Sequence, residues 1–346
     1  MSGTVTLDRF VRSTGTFTNL PPGNLAALLA PTAFAAKIVA REVRRAALVG
    51  RLGLVGERNP TGDAQKKLDI FANQAFLATF DGADLIAGIV SEELEEVTQV
   101  TCNSASAYIL CVDPLDGSSN SDNNGPVGTI FGFYRRQSVC GCDAIGHELR
   151  EGARLVVAGY VMYGPSTVLA YSAGGGVHAF TLDHDLGEFL LSHEGIRCPA
   201  HGPGFSANLG HSPHWDPAVR AYVKAVMDGA VDASGQASFR YAGALVADLH
   251  RILLEGGIYL YPADHAHPKG KLRLLYECAP AAFLAEQAGG RASTGRERIL
   301  DLQPVSLHDT APLAVGSHDD VIAFEHGLAA SAESRPAPGH GDRDDA

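Results

Sequence analysis

The stretch that most constrains this chain is Asp113-Pro114-Leu115-Asp116-Gly117-Ser118-Ser119-Asn120, which sets two carboxylates, a proline and a glycine-serine turn directly after an apolar run. Asp, Pro, Gly, Ser and Asn are ordinary turn residues, so a solvated turn is the first alternative. The approach to the turn argues against it. Ala107-Tyr108-Ile109-Leu110-Cys111-Val112 is short, apolar and rich in β-branched and aromatic side chains, the pattern of a buried strand. Pro114 has no N–H, so Asp113 is expected to end that strand and emerge at the carboxyl edge of a sheet, where open α/β sheets bind ligands. Past the edge, Gly117, Ser118 and Ser119 can aim backbone N–H groups and two hydroxyls at one anion. Acids for a hard cation beside amides for a phosphate form a coherent pair, because Mg²⁺ usually binds through a few carboxylates plus the substrate's phosphate.

A second set of acids repeats the arrangement. Leu85-Ile86-Ala87-Gly88-Ile89-Val90 is another apolar segment and runs into Ser91-Glu92-Glu93. Alone, Glu92-Glu93-Leu94-Glu95-Glu96 reads as a solvated charge cluster. Two strand ends carrying acids side by side would repel one another unless cations were bound between them.

Charge narrows the partners. The net charge is −12 and the pI near 5.6, which argues against a nucleic-acid binder and leaves anionic substrates to be met by local cations. With 346 residues and 45% hydrophobic content there is material for a large core or two lobes. No apolar run is long enough to span a bilayer, and residues 1–20 lack the apolar centre of a signal peptide, so no membrane contact and a cytoplasmic location are expected. Six cysteines are too sparse for a disulfide scaffold and are expected to be reduced, with Cys140-Gly141-Cys142 the only candidate redox pair.

Helical spacing is expected over residues 24–49, with Pro31 breaking or kinking it, and again over residues 66–76, with Asp69 near the start, where an acid favours the helix dipole. Short β-rich runs follow between residues 155 and 191, with Gly174-Gly175-Gly176 as a hairpin turn. The Pro-, His- and Gly-rich stretch 198–204 is the expected boundary between an N-terminal lobe, 1–197, and a C-terminal lobe, 198–328. Residues 240–251 read as a helix, 258–261 as a strand, and Lys271 and Arg273 share a face if extended and could hold a phosphate. The tail, 329–346, is expected to be disordered.

These motifs resemble class I fructose-1,6-bisphosphatase. The likeness rests on Asn59-Pro60-Thr61-Gly62-Asp63 with Asp69, Ser91-Glu92-Glu93, the 113–120 run, Gly128-Thr129-Ile130-Phe131-Gly132, Arg240-Tyr241-Ala242-Gly243 and Gly270-Lys271-Leu272-Arg273-Leu274-Leu275-Tyr276-Glu277-Cys278, in order over residues 20–325. The resemblance implies a two-lobed α/β (α+β) fold with α-β-α-β-α layering, a homotetramer, and Mg²⁺-dependent removal of the 1-phosphate of fructose 1,6-bisphosphate, with two or more ions per subunit and Mn²⁺ as a substitute. It implies Glu92, Asp113, Asp116, Glu277 and the Leu115 carbonyl as metal ligands, with Asp63 reaching a further ion. Asp69 and Glu93 would orient and deprotonate water. Asp116, Gly117, Ser118 and Ser119 would hold the departing phosphate, and Asn208, Tyr241, Tyr261 and Lys271 the sugar and its second phosphate. Arg240 would reach a neighbouring subunit's site.

Three departures bear on what the likeness implies. His211 stands where the family often has a tyrosine, giving a pH-dependent contact. The N-terminal turn Pro22-Gly23-Asn24-Leu25-Ala26 and Ala107 lack the groups of AMP-inhibited members, although Tyr108 and Arg135 agree with them, and weak or absent AMP inhibition is expected. The loop around Cys140 and Cys142 is not visibly longer than usual, unlike the redox-regulated plastid relatives. Alternatives are an inositol monophosphatase-like enzyme, a sedoheptulose-1,7-bisphosphatase, and a non-catalytic metal or sugar-phosphate binder. The inositol reading needs a Trp-Asp motif in a glycine context that Trp215-Asp216-Pro217 lacks. A calcium loop opening at Asn120 would need a bidentate Glu where Phe131 stands.

Overall fold

The computed structural model describes residues 4–14, 20–60, 62, 64–103, 105–136, 146, 149, 154–230 and 237–333. Helices α1 (Leu7–Thr14), α2 (Asn24–Val43) and α3 (Lys67–Phe80) pack together, with a short ribbon of β1 (Leu54–Arg58) and β2 (Ala64–Lys66) before α3. An eight-stranded sheet follows, built from β3 (Ile86–Ser91), β4 (Thr98–Gln99), β5 (Tyr108–Asp116), β6 (Val127–Arg135), β7 (Arg154–Tyr163), β8 (Thr167–Ser172), β9 (Val177–Asp183) and β10 (Glu188–Ile196). Its order is β10-β9-β8-β7-β6-β5-β3-β4. Only β3 and β5 run parallel, so their carboxyl ends, with their acids, lie side by side.

Next come β11 (Gly204–Ser206), α4 (Pro217–Met227), β12 (Ser238–Phe239), α5 (Leu245–Glu255), β13 (Gly257–Tyr261) and β14 (Leu272–Arg273). The chain closes with α6 (Ala279–Gln287), β15 (Arg291–Ser293), β16 (Thr310–Ala311), β17 (Leu313–Gly316) and α7 (His318–Glu333). The second sheet has the order β12-β11-β13-β17-β15, and β14 pairs with β16.

Three apolar clusters join these elements into layers. Leu28, Phe76, Phe80, Phe131 and Phe133 seal the first helices onto one face of the large sheet. Tyr160, Val246, Leu249, Ala281 and Leu284 place α5 and α6 between the two sheets. Phe205, Tyr222, Val321 and Phe324 pack α4 and α7 on the outer face of the second sheet. The result is the expected α-β-α-β-α layering, in which each amphipathic face is buried against the next.

Several local expectations need correction. β5 does not stop at Asp113. It continues through Pro114 to Asp116, and its pairing shifts between Asp113↔Ile130 and Asp116↔Gly128, so the proline sits in an irregularity where no ladder N–H is required. Helix α2 runs through Pro31 without a break, and the Thr32 hydroxyl donates to the Leu28 carbonyl at 2.8 Å in the same turn. The helix expected from residue 240 begins at Leu245 instead, because Gly243 adopts φ +75° and the residues before it are irregular. Helix α7 continues through 329–333, where a disordered tail was expected, and residues from 334 lie outside the described set. Cys102 is disulfide-bonded, against the expectation of reduced thiols, while Cys111, Cys198 and Cys278 are free and buried. Cys140 and Cys142 lie outside the described residues.

Candidate active site

At the carboxyl ends of β3 and β5 a cavity of about 430 Å³ opens between the large sheet and the start of α5. It is lined by Asp69, Glu92, Glu93, Asp113, Leu115, Asp116, Gly117, Ser118, Ser119 and Glu277 on one side, and by Tyr241, Tyr261 and Lys271 on the other. A larger cavity, about 790 Å³, opens beside α4 and α7 near Pro262, Lys269 and Phe324. It contains none of these carboxylates, so size does not mark the site here.

Each acid is held by its own element. Asp113 and Asp116 flank the irregularity in β5; the Leu115 N–H donates to Asp113 Oδ1 at 3.0 Å, and the Val246 N–H donates to Asp116 Oδ2 at 2.8 Å. The amides that open α5, 130 positions away in sequence, therefore fix Asp116. Glu277 arrives on a π-helical turn, Leu274–Cys278, and accepts from the Arg273 N–H at 2.6 Å. Asp69 sits at the third position of α3 and accepts from the Lys66 N–H at 2.8 Å. Its expected role at the helix start is real, and the same carboxyl also faces the cavity. Glu93 follows Ser91, whose hydroxyl donates to Asn73 at 2.8 Å, and accepts from Gln65 Nε2 at 2.5 Å.

Among the described residues, Asp113, Asp116 and Glu277 each offer a carboxylate oxygen within 4.8 Å of the others, and all three are buried. Without a cation such a group is electrostatically unfavourable. Burial, then Glu92 and Glu277, pushes Asp113 well above the usual carboxylate range. Burial raises Asp116 and Glu277 as well, opposed at Asp116 by the α5 amides and at Glu277 by Arg273. Asp69 is raised to about 6 and Glu93 to about 7, burial being the largest cause in both. Asp69 Oδ1 is buried without a hydrogen-bond partner. Clustered hard oxygen donors and an orphaned carboxylate oxygen fit divalent cations of the Mg²⁺ type.

Turn geometry supplies the anion side. Gly117 has φ +70°, and a Cβ there would lie 2.4 Å from the Ala244 Cβ, so only glycine lets the turn close against α5. The short 3₁₀ helix Ser118–Asn123 follows at once, and its first residues, Ser118 and Ser119, line the cavity with Gly117.

Not every expected residue joins the cavity. Asn208 caps the 3₁₀ helix Leu209–His214, and its amide nitrogen lies 3.4 Å from His211 Nε2. Arg240 is exposed, and neither residue lines the cavity. Asp63 lies outside the described residues. Arg273 is 6% exposed and pairs with Glu92 at 2.5 Å and Glu277 at 3.7 Å, so it serves the acid cluster rather than an open phosphate site. Lys66 also lines the cavity and pairs with Asp122 at 2.9 Å. Local pattern marked Arg273 as a candidate phosphate holder and did not mark Lys66; the pairing of Arg273 with Glu92 and of Lys66 with Asp122 spans 181 and 56 positions of sequence, respectively.

Fold and site together define a phosphatase of the layered α-β-α-β-α type, with a carboxylate cluster beside a glycine-serine turn. Residues 5–194 match the family model "Fructose-1-6-bisphosphatase, N-terminal domain", and residues 198–329 match "Fructose-1-6-bisphosphatase, C-terminal domain". A class 1 fructose-1,6-bisphosphatase of Acaryochloris marina is 54% identical over 304 residues, covering 88% of this chain and 91% of the relative. One from Chloroherpeton thalassium is 46% identical over 332 residues, with 95% of each chain covered. The crystal structure of Leishmania major fructose-1,6-bisphosphatase in holo form superposes with TM-score 0.87 at 35% identity, covering 94% of this chain and 99% of that one. The chain belongs to the class 1 fructose-1,6-bisphosphatase family.

Proposed function

We propose that this protein hydrolyses the 1-phosphate of fructose 1,6-bisphosphate, releasing fructose 6-phosphate and phosphate, with Mg²⁺ as its ion and Mn²⁺ as a substitute. The observation that carries the reading is the convergence, in one cavity, of the Asp113-Asp116-Glu277 cluster with the 117–119 turn. Glu92, Asp113, Asp116, Glu277 and the Leu115 carbonyl would hold two or more ions, with Asp63 a ligand to another. When bound, those ions would supply the positive charge that offsets the carboxylates and polarises the phosphoryl group. Asp69 and Glu93 orient the attacking water and take its proton, and the raised position of Glu93, about 7, suits a general base near neutral pH. The amides and hydroxyls of residues 117–119 hold the departing phosphate in line.

Tyr241, Tyr261 and Lys271 bind the sugar and its second phosphate across the cavity, with Asn208 joining from its 3₁₀ cap. The exposure of Arg240 beside the partly exposed Phe239 and Tyr241 supports a role in a neighbouring subunit's site within a homotetramer. The separate sheets, with strands ending at Ile196 and resuming at Gly204, support a division into lobes near residue 198. The family likeness supports a cytoplasmic enzyme of gluconeogenesis or the Calvin cycle, and no helix of the described residues is long and apolar enough to cross a membrane.

Phosphate release with Mg²⁺ from fructose 1,6-bisphosphate, sedoheptulose 1,7-bisphosphate and inositol 1-phosphate tests the reading. The fructose ester is expected to turn over fastest. A faster sedoheptulose reaction would reassign the sugar, and metal binding with no phosphate release from any ester would leave a binding protein.

A further inference from the structure

The segment Arg240-Tyr241-Ala242-Gly243 carries Tyr241, proposed to meet the sugar, and Arg240, proposed to reach a neighbouring subunit's site, yet it belongs to no strand or helix. Irregular backbone must find partners for its polar groups outside itself. At Ala242 both are taken, from opposite lobes. Asn120 donates from Nδ2 to the Ala242 carbonyl at 2.8 Å, and Asp248 accepts from the Ala242 N–H at 2.9 Å. Asp248 is 2% exposed, on the first turns of α5, with the Arg251 guanidinium 3.5 Å away. The Ser206 hydroxyl donates to the Arg240 carbonyl at 2.6 Å, which fixes the other end of the strip.

Asn120 also buttresses the phosphate turn from behind its last residue. It lies three residues beyond Gly117, within the 3₁₀ helix that follows the turn, and its backbone N–H donates to the Gly117 carbonyl at 2.8 Å. Its Nδ2 also donates to the Pro126 carbonyl at 2.9 Å, so two acceptors on one side determine which way the amide faces. Close approach requires glycine opposite: at Gly243, φ +75°, a Cβ would stand 3.3 Å from Asn120 Oδ1. One side chain thus ties the cradle for the reacting phosphate to the strip that carries Tyr241.

We propose that Asn120 and Asp248 are positioning residues that couple the two halves of the substrate site, setting the distance between the phosphate cradle and the sugar-binding strip. The pair thereby sets the preference for a sugar bisphosphate over a monophosphate. The inference rests on the function proposed above. Neither side chain touches the reacting atoms, so losing the clamp leaves the carboxylate cluster in place and lets the strip drift.

The test compares fructose 1,6-bisphosphate with fructose 1-phosphate, which keeps the scissile ester and lacks the second phosphate. For Asn120→Ala and Asp248→Ala, kcat/KM on the bisphosphate is expected to fall about tenfold or more, chiefly through KM, the effect of losing one or two buried hydrogen bonds. On the monophosphate it should change by less than about threefold. Melting temperature is followed in both variants; Asp248→Ala, which removes the acceptor for the Ala242 N–H, serves if Asn120→Ala fails to fold. Equal losses on both esters, or no loss on either, would overturn the proposal. A wild-type protein inactive on the bisphosphate would instead overturn the functional reading, and the clamp's role with it.

Discussion

Replacing Glu93 by Gln tests the site through charge as well as through turnover. Burial carries this carboxyl from 4.5 to about 7. At 1.36 kcal/mol per pH unit, that corresponds to about 3 kcal/mol, trimmed to about 2 kcal/mol because Glu93 is only partly buried. A raised carboxyl costs nothing while protonated in both states, so the metal-free wild type bears no penalty below pH 4.5. Its stability is lost as pH rises through 4.5 toward 7, and the full cost is present above that. Gln cannot ionise, and it can still meet Gln65 through its amide oxygen.

In EDTA at about pH 8 the variant should therefore be more stable than wild type by about 2 kcal/mol, or about 3 °C in melting temperature for a chain of 346 residues, and equal to it at about pH 4.5. Phosphate release with Mg²⁺ should fall by about 10²–10⁴-fold, the contribution expected of a general base. Thermal melts across pH and a phosphate assay read both. A melting difference that does not vary with pH would refute the electrostatic reasoning, and wild-type turnover would remove Glu93 from the base role.

Three further outcomes follow from the same geometry. Adding Mg²⁺ to the metal-free protein should raise its melting temperature more at about pH 8 than at about pH 6, because the raised carboxyls of Asp113, Asp116 and Glu277 hold protons at lower pH and repel one another when those protons leave. Isothermal titration should give a matching fall in affinity with acid, and EDTA should abolish turnover. Gly117→Ala places a methyl 2.4 Å from the Ala244 Cβ at positive φ, so kcat/KM should fall by about 10²-fold or more, checked by steady-state kinetics. Micromolar AMP should leave phosphate release unchanged, since the Tyr108 hydroxyl is held by Asn24 Nδ2 at 2.9 Å and Tyr108 is 1% exposed; inhibition in that range would contradict the reading.

Much of the site was legible along the chain because its chemistry sits in short runs. A strand-forming stretch followed by Asp-Pro-Leu-Asp-Gly-Ser-Ser specifies a buried ladder and a turn whose amides converge, and both properties are local. Gly-rich turns and β-branched runs likewise announced the hairpins of the large sheet. Local pattern misjudged Pro114, Pro31 and the start of α5, because whether a proline ends an element depends on whether its missing N–H was needed there.

What the sequence by itself determined is the inventory: two acid-bearing strand ends, an anion-binding turn, and the residue types of a metal-assisted phosphatase. Only the tertiary structure decided which of these acids meet. Asp113, Asp116 and Glu277 gather within 4.8 Å although Glu277 is 161 residues from Asp116, and Arg273 turns inward to pair with Glu92 rather than outward to a phosphate. Desolvation depends on everything packed around a group, so the raised carboxyls, the buried ion pair and the grip of Asn120 and Asp248 on Ala242 exist only once the distant segments of the chain have packed together.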